Sequence, residues 1–506
     1  MTAKREEIFS SFSAKRLSFN IPFPIHTSGI MLFLTVNSIQ EAAANLHLTS
    51  IQGLELRLDR FPTIDLTEIQ NLQISSPLPL LFTLRKVSQG GEFQGEEKER
   101  VVLIERLLHL QPAFFDLEYD TPASFLEKIA KNHPKTRLIL SYHNFEKMVD
   151  LDKLFEQIQS PHVFAYKIAC RTSSSLEALQ MCTIVKKKNL CAIGMGKAGE
   201  ITRVLTPITG NLMNFACSQE DSTPAGQLSA HTLQQVYNYS HLTRQTSLFA
   251  LLGDPVEMSP SHKTHNQVFK TLGLDALYVK IPLKSSELST FFSEMHALPF
   301  CGFSVTMPHK ESIVPLMDEL TEEAQAIGAV NTVLVKENKL YGTNTDGVGA
   351  LDAIEERAPV QGKKILLLGA GGTARAIAFE AKKRGAKLTI LNRTKERAIA
   401  LGNKLNCAAG GLDEIAQHAD YEILINATSV GMQEEATPID PKWLLPRTLV
   451  LDVVMQGTPL LQAAARHGCL CVSGKELFIY QALRQFAFWF PEIDLNLVCA
   501  TLRRYV

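Results

Sequence analysis

Lys363-Lys364-Ile365-Leu366-Leu367-Leu368-Gly369-Ala370-Gly371-Gly372-Thr373-Ala374 sets the architecture of the C-terminal half. An apolar run ends in a glycine turn and passes into a segment of helical spacing, the strand–turn–helix opening of a dinucleotide-binding α/β lobe. The glycines fit G-x-G-x-x-A. Gly369 permits the tight turn and Gly371 lets a phosphate approach the backbone. Gly372 and Ala374 then start a helix whose free N–H groups favour a pyrophosphate. The next apolar run, Lys387–Leu391, ends in Asn392-Arg393-Thr394-Lys395-Glu396-Arg397. An NAD-selective lobe would carry an acid there for the ribose hydroxyls. Arg393, with Lys395 or Arg397, instead offers charge and a planar guanidinium to a 2′-phosphate and adenine. The expected cofactor is NADP(H), held by Gly369, Gly371, Gly372, Ala374, Asn392, Arg393, Thr394 and Arg397. The competing reading of the charged run is a solvated face.

Working upstream, polar residues collect in four short motifs. Ser259 and Ser261 lie in Met258-Ser259-Pro260-Ser261-His262, just after a Gly-Asp-Pro turn. Thr306 and Lys310 follow an apolar run in Val305-Thr306-Met307-Pro308-His309-Lys310, Asn331 lies in Gly328-Ala329-Val330-Asn331-Thr332, and Asp346 ends Gly342-Thr343-Asn344-Thr345-Asp346. Each alone is compatible with turn chemistry. Together, ahead of a nucleotide lobe, they suggest hydroxyls and amides that read a polyol acid. The aromatic-rich helical segment from Gly474 to Phe490 is expected to pack back on this region.

The N-terminal half repeats a different rhythm. Apolar runs at Met31–Val36, Leu54–Leu58, Leu80–Leu84, Ala113–Leu117, Arg137–Tyr142, Val163–Ala169, Leu190–Met195 and Leu212–Ala216 alternate with segments of helical spacing. Leu151, Leu154, Phe155 and Ile158 show the i, i+3, i+4, i+7 pattern. Eight strands alternating with helices read as a (β/α)₈ barrel, with an open parallel sheet as the alternative. Ionisable residues fall at the strand ends: Glu55 and Arg57, Arg85, Asp116 and Glu118, His143 and Lys167. Barrel active sites form at the C-terminal ends of the strands, so these groups should converge. The bland alternative, strand-end ion pairs, suits any one of them better than all seven.

Lys167 sits on an otherwise apolar strand, where desolvation favours a neutral amine that can attack a ketone and form a Schiff base. The iminium draws electrons from the neighbouring carbon, and His143 suits the base that removes its proton and the acid that protonates a departing hydroxyl. Arginines from other strands would hold a carboxylate. That describes a lyase acting beside a carbonyl.

Length and composition agree with several globular domains. The 506 residues suggest about three domains at about 150 each, and 45% are hydrophobic. The 51 Lys and Arg against 52 Asp and Glu give a net charge of −1, with no basic footprint for nucleic acid. Apolar runs are too short to span a bilayer. Nine cysteines without a C-x-x-C pair suggest thiols in a reducing compartment, hence a cytoplasmic protein, and no metal-ligand cluster is present, so no metal is expected. The expected divisions are 1–29, a disordered or spurious extension; 30–240, the barrel; 247–345, a substrate lobe completed by 474–506; and 346–473, the NADP lobe. Glu6 and Glu7 argue against a transit peptide in the extension.

Gly53-Leu54-Glu55-Leu56-Arg57, Phe115-Asp116-Leu117-Glu118 and the strands ending in His143 and carrying Lys167 resemble type I 3-dehydroquinate dehydratase. Ile201-Thr202-Arg203 and Thr223-Pro224-Ala225-Gly226-Gln227 resemble that family's later loops. The resemblance implies that Lys167 forms the Schiff base, His143 is the general acid/base and Arg203 binds the carboxylate. Glu55, Arg57, Arg85, Thr223 and Gln227 would hold the rest of the substrate and the loop. One departure stands out: the family has Glu-Gly-Gly where this chain has Gln89-Gly90-Gly91, and that carboxylate orients the histidine. An amide can hydrogen-bond an imidazole but lends it no charge, so slower turnover or a shifted pH optimum is expected.

The polar motifs of residues 247–506, with Asn426-Ala427-Thr428-Ser429-Val430-Gly431-Met432 and Gln481-Ala482, resemble shikimate dehydrogenase. The resemblance makes Lys310 and Asp346 the catalytic pair and Ser259, Ser261, Thr306, Asn331 and Gln481 substrate ligands. Ser304 stands where the family has Asn, and His262 where it has Pro. The whole chain resembles the fused enzyme of aromatic amino-acid biosynthesis, which dehydrates 3-dehydroquinate and then reduces 3-dehydroshikimate with NADPH. Two other readings remain: a quinate/shikimate dehydrogenase with a degenerate barrel, and a non-catalytic sensor of the same carboxylate polyols. Oligomeric state is not legible.

Overall fold

The computed structural model describes residues 29–184, 189–219, 226–432 and 434–506. The N-terminal segment up to residue 28 and Thr223 lie outside the described residues.

Eight parallel strands form the first sheet: β1 (Met31–Val36), β2 (Gly53–Arg57), β3 (Leu80–Thr83), β4 (Phe114–Glu118), β5 (Arg137–Asn144), β6 (Ala165–Arg171), β7 (Leu190–Met195) and β8 (Met213–Cys217). Their order is β7-β6-β5-β4-β3-β2-β1-β8, a barrel nearly closed. The pleat's period of two explains its layers. Met31, Phe33, Phe114, Ile139 and Phe215 fill the interior, while Leu32, Leu34, Leu54 and Leu56 face the surrounding helices. β6 begins two residues later than its apolar run suggests, because the Val163 N–H bonds the Ser160 carbonyl in a turn.

At the seam, β7 and β8 form no backbone ladder, and Asn211 fills the gap. Its Oδ1 accepts from the Ala192 N–H at 3.0 Å and its Nδ2 donates to the Ala192 carbonyl at 3.4 Å. The side-chain amide thus copies a peptide group where the neighbouring strand is missing.

The second sheet contains β9 (Ser247–Gly253), β10 (Ala276–Pro282), β11 (Phe300–Val305), β12 (Glu319–Leu320), β13 (Thr332–Lys336) and β14 (Lys339–Thr343), in the order β10-β9-β11-β13-β14-β12. One face shares a continuous apolar cluster with the barrel, and the other is covered by Phe486, Trp489, Val498 and Leu502 from the last two helices. The expected return of the Gly474–Phe490 segment is therefore seen as the helix Gly474–Trp489.

The third sheet comprises β15 (Lys364–Leu368), β16 (Lys387–Asn392), β17 (Ala408–Gly411), β18 (Ile423–Asn426), β19 (Leu449–Asp452) and β20 (Leu470–Val472). It is wholly parallel, in the order β17-β16-β15-β18-β19-β20. That is the doubly wound nucleotide fold, whose switch point lies between β15 and β18. Ile365–Leu368 are all buried, as a central parallel strand requires. No helix among the described residues is long and apolar enough to cross a membrane.

Candidate active sites

Above the apolar layer of the barrel, the next inward positions are polar. Glu55 is buried; Thr35 and Thr83 donate hydroxyls to its two oxygens at 2.7 and 3.1 Å. Lys167 Nζ lies 3.4 Å from Glu55 Oε1 and 3.7 Å from Asp116 Oδ2, and 3.5 Å from the centroid of the Phe215 ring. The strand is apolar, as its sequence says, but the amine emerges between two carboxylates. Burial works to raise the Glu55 pKa, yet Lys167, Arg57, the Thr35 hydroxyl and Arg85 hold it at about 2, so this carboxylate stays ionised.

Arg85 is enclosed. It donates to Asp116 at 2.8 Å and to Ser141, and Ser141 donates to the other Asp116 oxygen at 2.6 Å. Arg57 forms a two-pronged pair with Asp59, at 3.0 and 2.8 Å. Arg203, on the short helix Glu200–Val204, gives Nε to the Gly226 carbonyl at 2.9 Å and Nη1 to the Phe215 carbonyl at 3.1 Å. Gln227 Nε2 reaches the Thr35 hydroxyl at 3.3 Å. The strand-end groups named from sequence are thus brought together at one mouth.

Gln89 departs from expectation. Its Oε1 accepts from the backbone N–H of His143 at 2.8 Å, and the imidazole is not its partner. The turn dictates this. Gly90 has φ +76° and lies under the Phe145 ring, and a Cβ on Gly91 would meet the Arg85 carbonyl oxygen at 1.9 Å. His143 Nδ1 is buried with no hydrogen-bond partner. Desolvation, with the cations of Arg85, Lys167, Arg57 and Arg203 around it, puts the imidazole well below its ordinary pKa.

In the second half, Lys310 Nζ donates to Asp346 Oδ2 and, at 2.9 Å, to Thr373 Oγ1. Thr373 donates to the same Asp346 oxygen at 3.1 Å, and Asn331 Nδ2 donates to Asp346 Oδ1 at 2.6 Å. Asn331 is held in turn: its Oδ1 accepts from Thr332 Oγ1 at 2.8 Å and from the Thr345 N–H at 2.8 Å. Gln485 closes the chain, donating to Thr332 Oγ1 at 2.9 Å and accepting from Ser304 at 3.2 Å. Ser259 bonds Ser261 at 2.9 Å. Among the described residues, Ser259, Ser261, Thr306 and Gln481 make no hydrogen bond to the Lys310–Asp346 pair.

Sequence reasoning missed Thr373 and Gln485. Thr373 occupies a variable position of the glycine motif, and Gln485 lies one helical turn beyond Gln481; that spacing was the only available signal.

The glycine turn suits a dinucleotide. Gly369 has φ +114° and lies so close to Ala427 that a Cβ would meet the carbonyl oxygen at 2.9 Å, whereas a Cβ on Gly371 would point into open space. The helix Gly372–Lys383 follows, with no side-chain cap on its N-terminus. At the end of β16, Asn392 Nδ2 bonds the Thr394 carbonyl at 2.9 Å. Arg393 is exposed and makes no ion pair among the described residues, Lys395 pairs with Glu414, and Arg397 lies 3.8 Å from Glu311. Of the three cations considered for the 2′-phosphate, Lys395 is therefore already engaged.

Comparison with known proteins matches the type I 3-dehydroquinase family over residues 30–244, the shikimate dehydrogenase substrate binding domain over 251–333 and the shikimate / quinate 5-dehydrogenase family over 352–434. The chain is 36% identical over 479 residues to the shikimate biosynthesis protein AroDE of Chlamydia pneumoniae, covering 92% of this chain and 95% of that protein. It is 34% identical over 463 residues, 86% of this chain and 76% of the relative, to the chloroplastic bifunctional 3-dehydroquinate dehydratase/shikimate dehydrogenase of Arabidopsis thaliana. Its second half is 40% identical over 251 residues, 49% of this chain and 92% of the relative, to the shikimate dehydrogenase (NADP(+)) of Pyrococcus furiosus. With a lysine-centred barrel mouth and a lysine–aspartate pair beside a nucleotide turn, the chain belongs to the bifunctional 3-dehydroquinate dehydratase/shikimate dehydrogenase family.

Proposed function

We propose that the barrel dehydrates 3-dehydroquinate to 3-dehydroshikimate and that the second half reduces this ketone to shikimate with NADPH. Lys167 Nζ attacks the substrate ketone, and water leaves as the Schiff base forms. His143 takes the proton from the adjacent carbon and delivers a proton to the departing hydroxyl; hydrolysis of the imine then frees Lys167. Arg203, with Nη2 free of the two carbonyls it braces, takes the carboxylate, while Glu55, Arg57, Arg85 and Gln227 shape the mouth and hold hydroxyls.

In the reductase half, bound NADPH supplies a hydride. Lys310 delivers a proton to the ketone oxygen, and Asp346 holds the ammonium in place. Ser259, Ser261, Thr306, Asn331 and Gln481 read the carboxylate and hydroxyls. The glycine turn and the helix Gly372–Lys383 take the pyrophosphate, with Arg393 and Arg397 near the 2′-phosphate. The substrates are small carboxylate polyols, and the free thiols suit a reducing, cytoplasmic setting.

One observation carries the reading: a single chain holds a lysine enclosed by carboxylates at a barrel mouth and a second lysine paired with aspartate beside a glycine turn. Enone absorbance from 3-dehydroquinate without nicotinamide isolates the barrel. It should grow, Lys167→Ala should stop it, and borohydride should trap substrate on Lys167. Added NADPH should then be oxidised. No enone, with 3-dehydroshikimate still oxidising NADPH, would leave the barrel a scaffold.

A further inference from the structure

Thr373 sits in the first turn of the helix Gly372–Lys383, where a threonine hydroxyl commonly bonds a nearby carbonyl of its own helix or caps it. It does neither. The hydroxyl crosses to Lys310, 63 residues earlier in the chain, and to Asp346, 27 residues earlier. Accepting from the ammonium and donating to the carboxylate, it completes a triangle in which each partner carries the charge that the hydroxyl favours. Asp346 Oδ1 accepts from Asn331, so both carboxylate oxygens are engaged. Lys310 has three donors. Two go to Asp346 and Thr373, and one is left to meet a ketone oxygen.

The contact also joins two lobes. Lys310 lies on the short helix His309–Ser312 beside β11, whereas Thr373 belongs to the nucleotide turn. The same helices meet again at Glu311, 3.1 Å from Arg375, and a Cβ on Gly372 would lie 3.1 Å from Lys310 Cβ. The backbone N–H of Thr373 lies in the first helical turn, where it has no intrahelical acceptor and is open to a bound anion. One residue therefore serves the cofactor turn through its backbone and the acid/base pair through its side chain.

We propose that Thr373 is a positioning residue of the reductase: its hydroxyl fixes Lys310 Nζ relative to the nucleotide turn, so that the remaining ammonium donor faces the carbonyl receiving hydride. This rests on the assignment of Lys310 as the proton donor. The test uses the full chain with Thr373→Val, Thr373→Ser and Lys310→Met, and circular dichroism with urea unfolding checks that the nucleotide lobe of each variant is folded. With 3-dehydroshikimate as substrate, Thr373→Val should lower the reductase kcat about ten- to hundredfold, as loss of a hydrogen bond to a charged group does. NADPH affinity, read by nucleotide fluorescence, should stay within about twofold, because the backbone cradle is intact. Thr373→Ser should restore most of the rate. Unchanged kcat in Thr373→Val, an equal loss of NADPH affinity, or no rescue by serine would each overturn the proposal. Full activity in Lys310→Met would instead overturn the assignment on which it rests.

Discussion

At the scale of single residues, the barrel mouth was readable because charge on an apolar strand needs a reason. Glu55, Arg85, Asp116 and Lys167 were found that way, and all are buried and joined. The partner of Gln89 was not readable, since one turn with a left-handed glycine decides whether the amide meets the ring of His143 or its backbone. The consequence can be measured. Desolvation and four nearby cations place the imidazole well below its ordinary pKa of 6.5, so the neutral ring needed for proton abstraction persists into acid. In Gln89→Glu the acceptor to the His143 N–H is retained, but a carboxylate arrives beside the ring and stabilises its protonated form. The His143 titration, followed by NMR and assigned by its loss in His143→Gln, should move up by about one pH unit or more. The acidic limb of dehydratase kcat/KM should move to higher pH with it. An unmoved titration would mean that the residue 89 carboxylate does not couple to the ring.

At the scale of elements, the eight strands of the barrel follow from apolar periodicity and the nucleotide lobe from its glycine turn, whereas the strand order of the second sheet, with its antiparallel β11–β13 and β13–β14 pairs, does not. Nor does the seam of the barrel. Whether β7 and β8 approach closely enough to pair depends on how the whole barrel closes, and Asn211 precedes its strand as an ordinary turn residue would. Its role appears only when the buried Ala192 N–H and carbonyl are traced to their partners. Asn211→Ala would strand both groups, and an unpaired buried polar group costs about 1–3 kcal/mol. Urea unfolding should show a lower midpoint at unchanged slope, with the loss in that range. A change within about 0.5 kcal/mol, ordinary for a surface site, would mean that the amide does not close the seam. Gln485 carries the same lesson in the reductase: a buried glutamine in an aromatic helix became informative only once Thr332 and Asn331 were placed beside it.

At the scale of the whole molecule, the stretch between the halves is built into the structure. Tyr239 is buried and its hydroxyl accepts from Asn214 at 2.8 Å, while Thr246 is buried and donates to Asp275 at 2.6 Å. Gln267 donates to the Gln235 carbonyl at 3.0 Å and Gln180 to Glu294 at 3.1 Å. One apolar cluster runs from the barrel helices through Leu248, Phe291 and Phe303 of the second sheet. The third sheet buries its faces in two further clusters, neither continuous with the barrel's, and meets the second lobe through Leu477 of the helix Gly474–Trp489, the small patch of Ile327, Ala329 and Ala376, the Lys310–Thr373 contact and the surface-facing pairs of Arg375 and Lys383. Cooperative units follow contiguous buried contacts, so the division of motion should not fall where the two activities divide. Native-state hydrogen exchange should show strands β1–β8 opening together with β9–β14, and β15–β20 opening separately at lower free energy. NADPH at about a hundred times its dissociation constant should add about 2.7 kcal/mol to that second unit and less to the first, since binding stabilises the part it touches. If β9–β14 instead opened with β15–β20 while the barrel stayed closed, the shared core would not be the cooperative unit, and the fusion would be two enzymes joined only by chain.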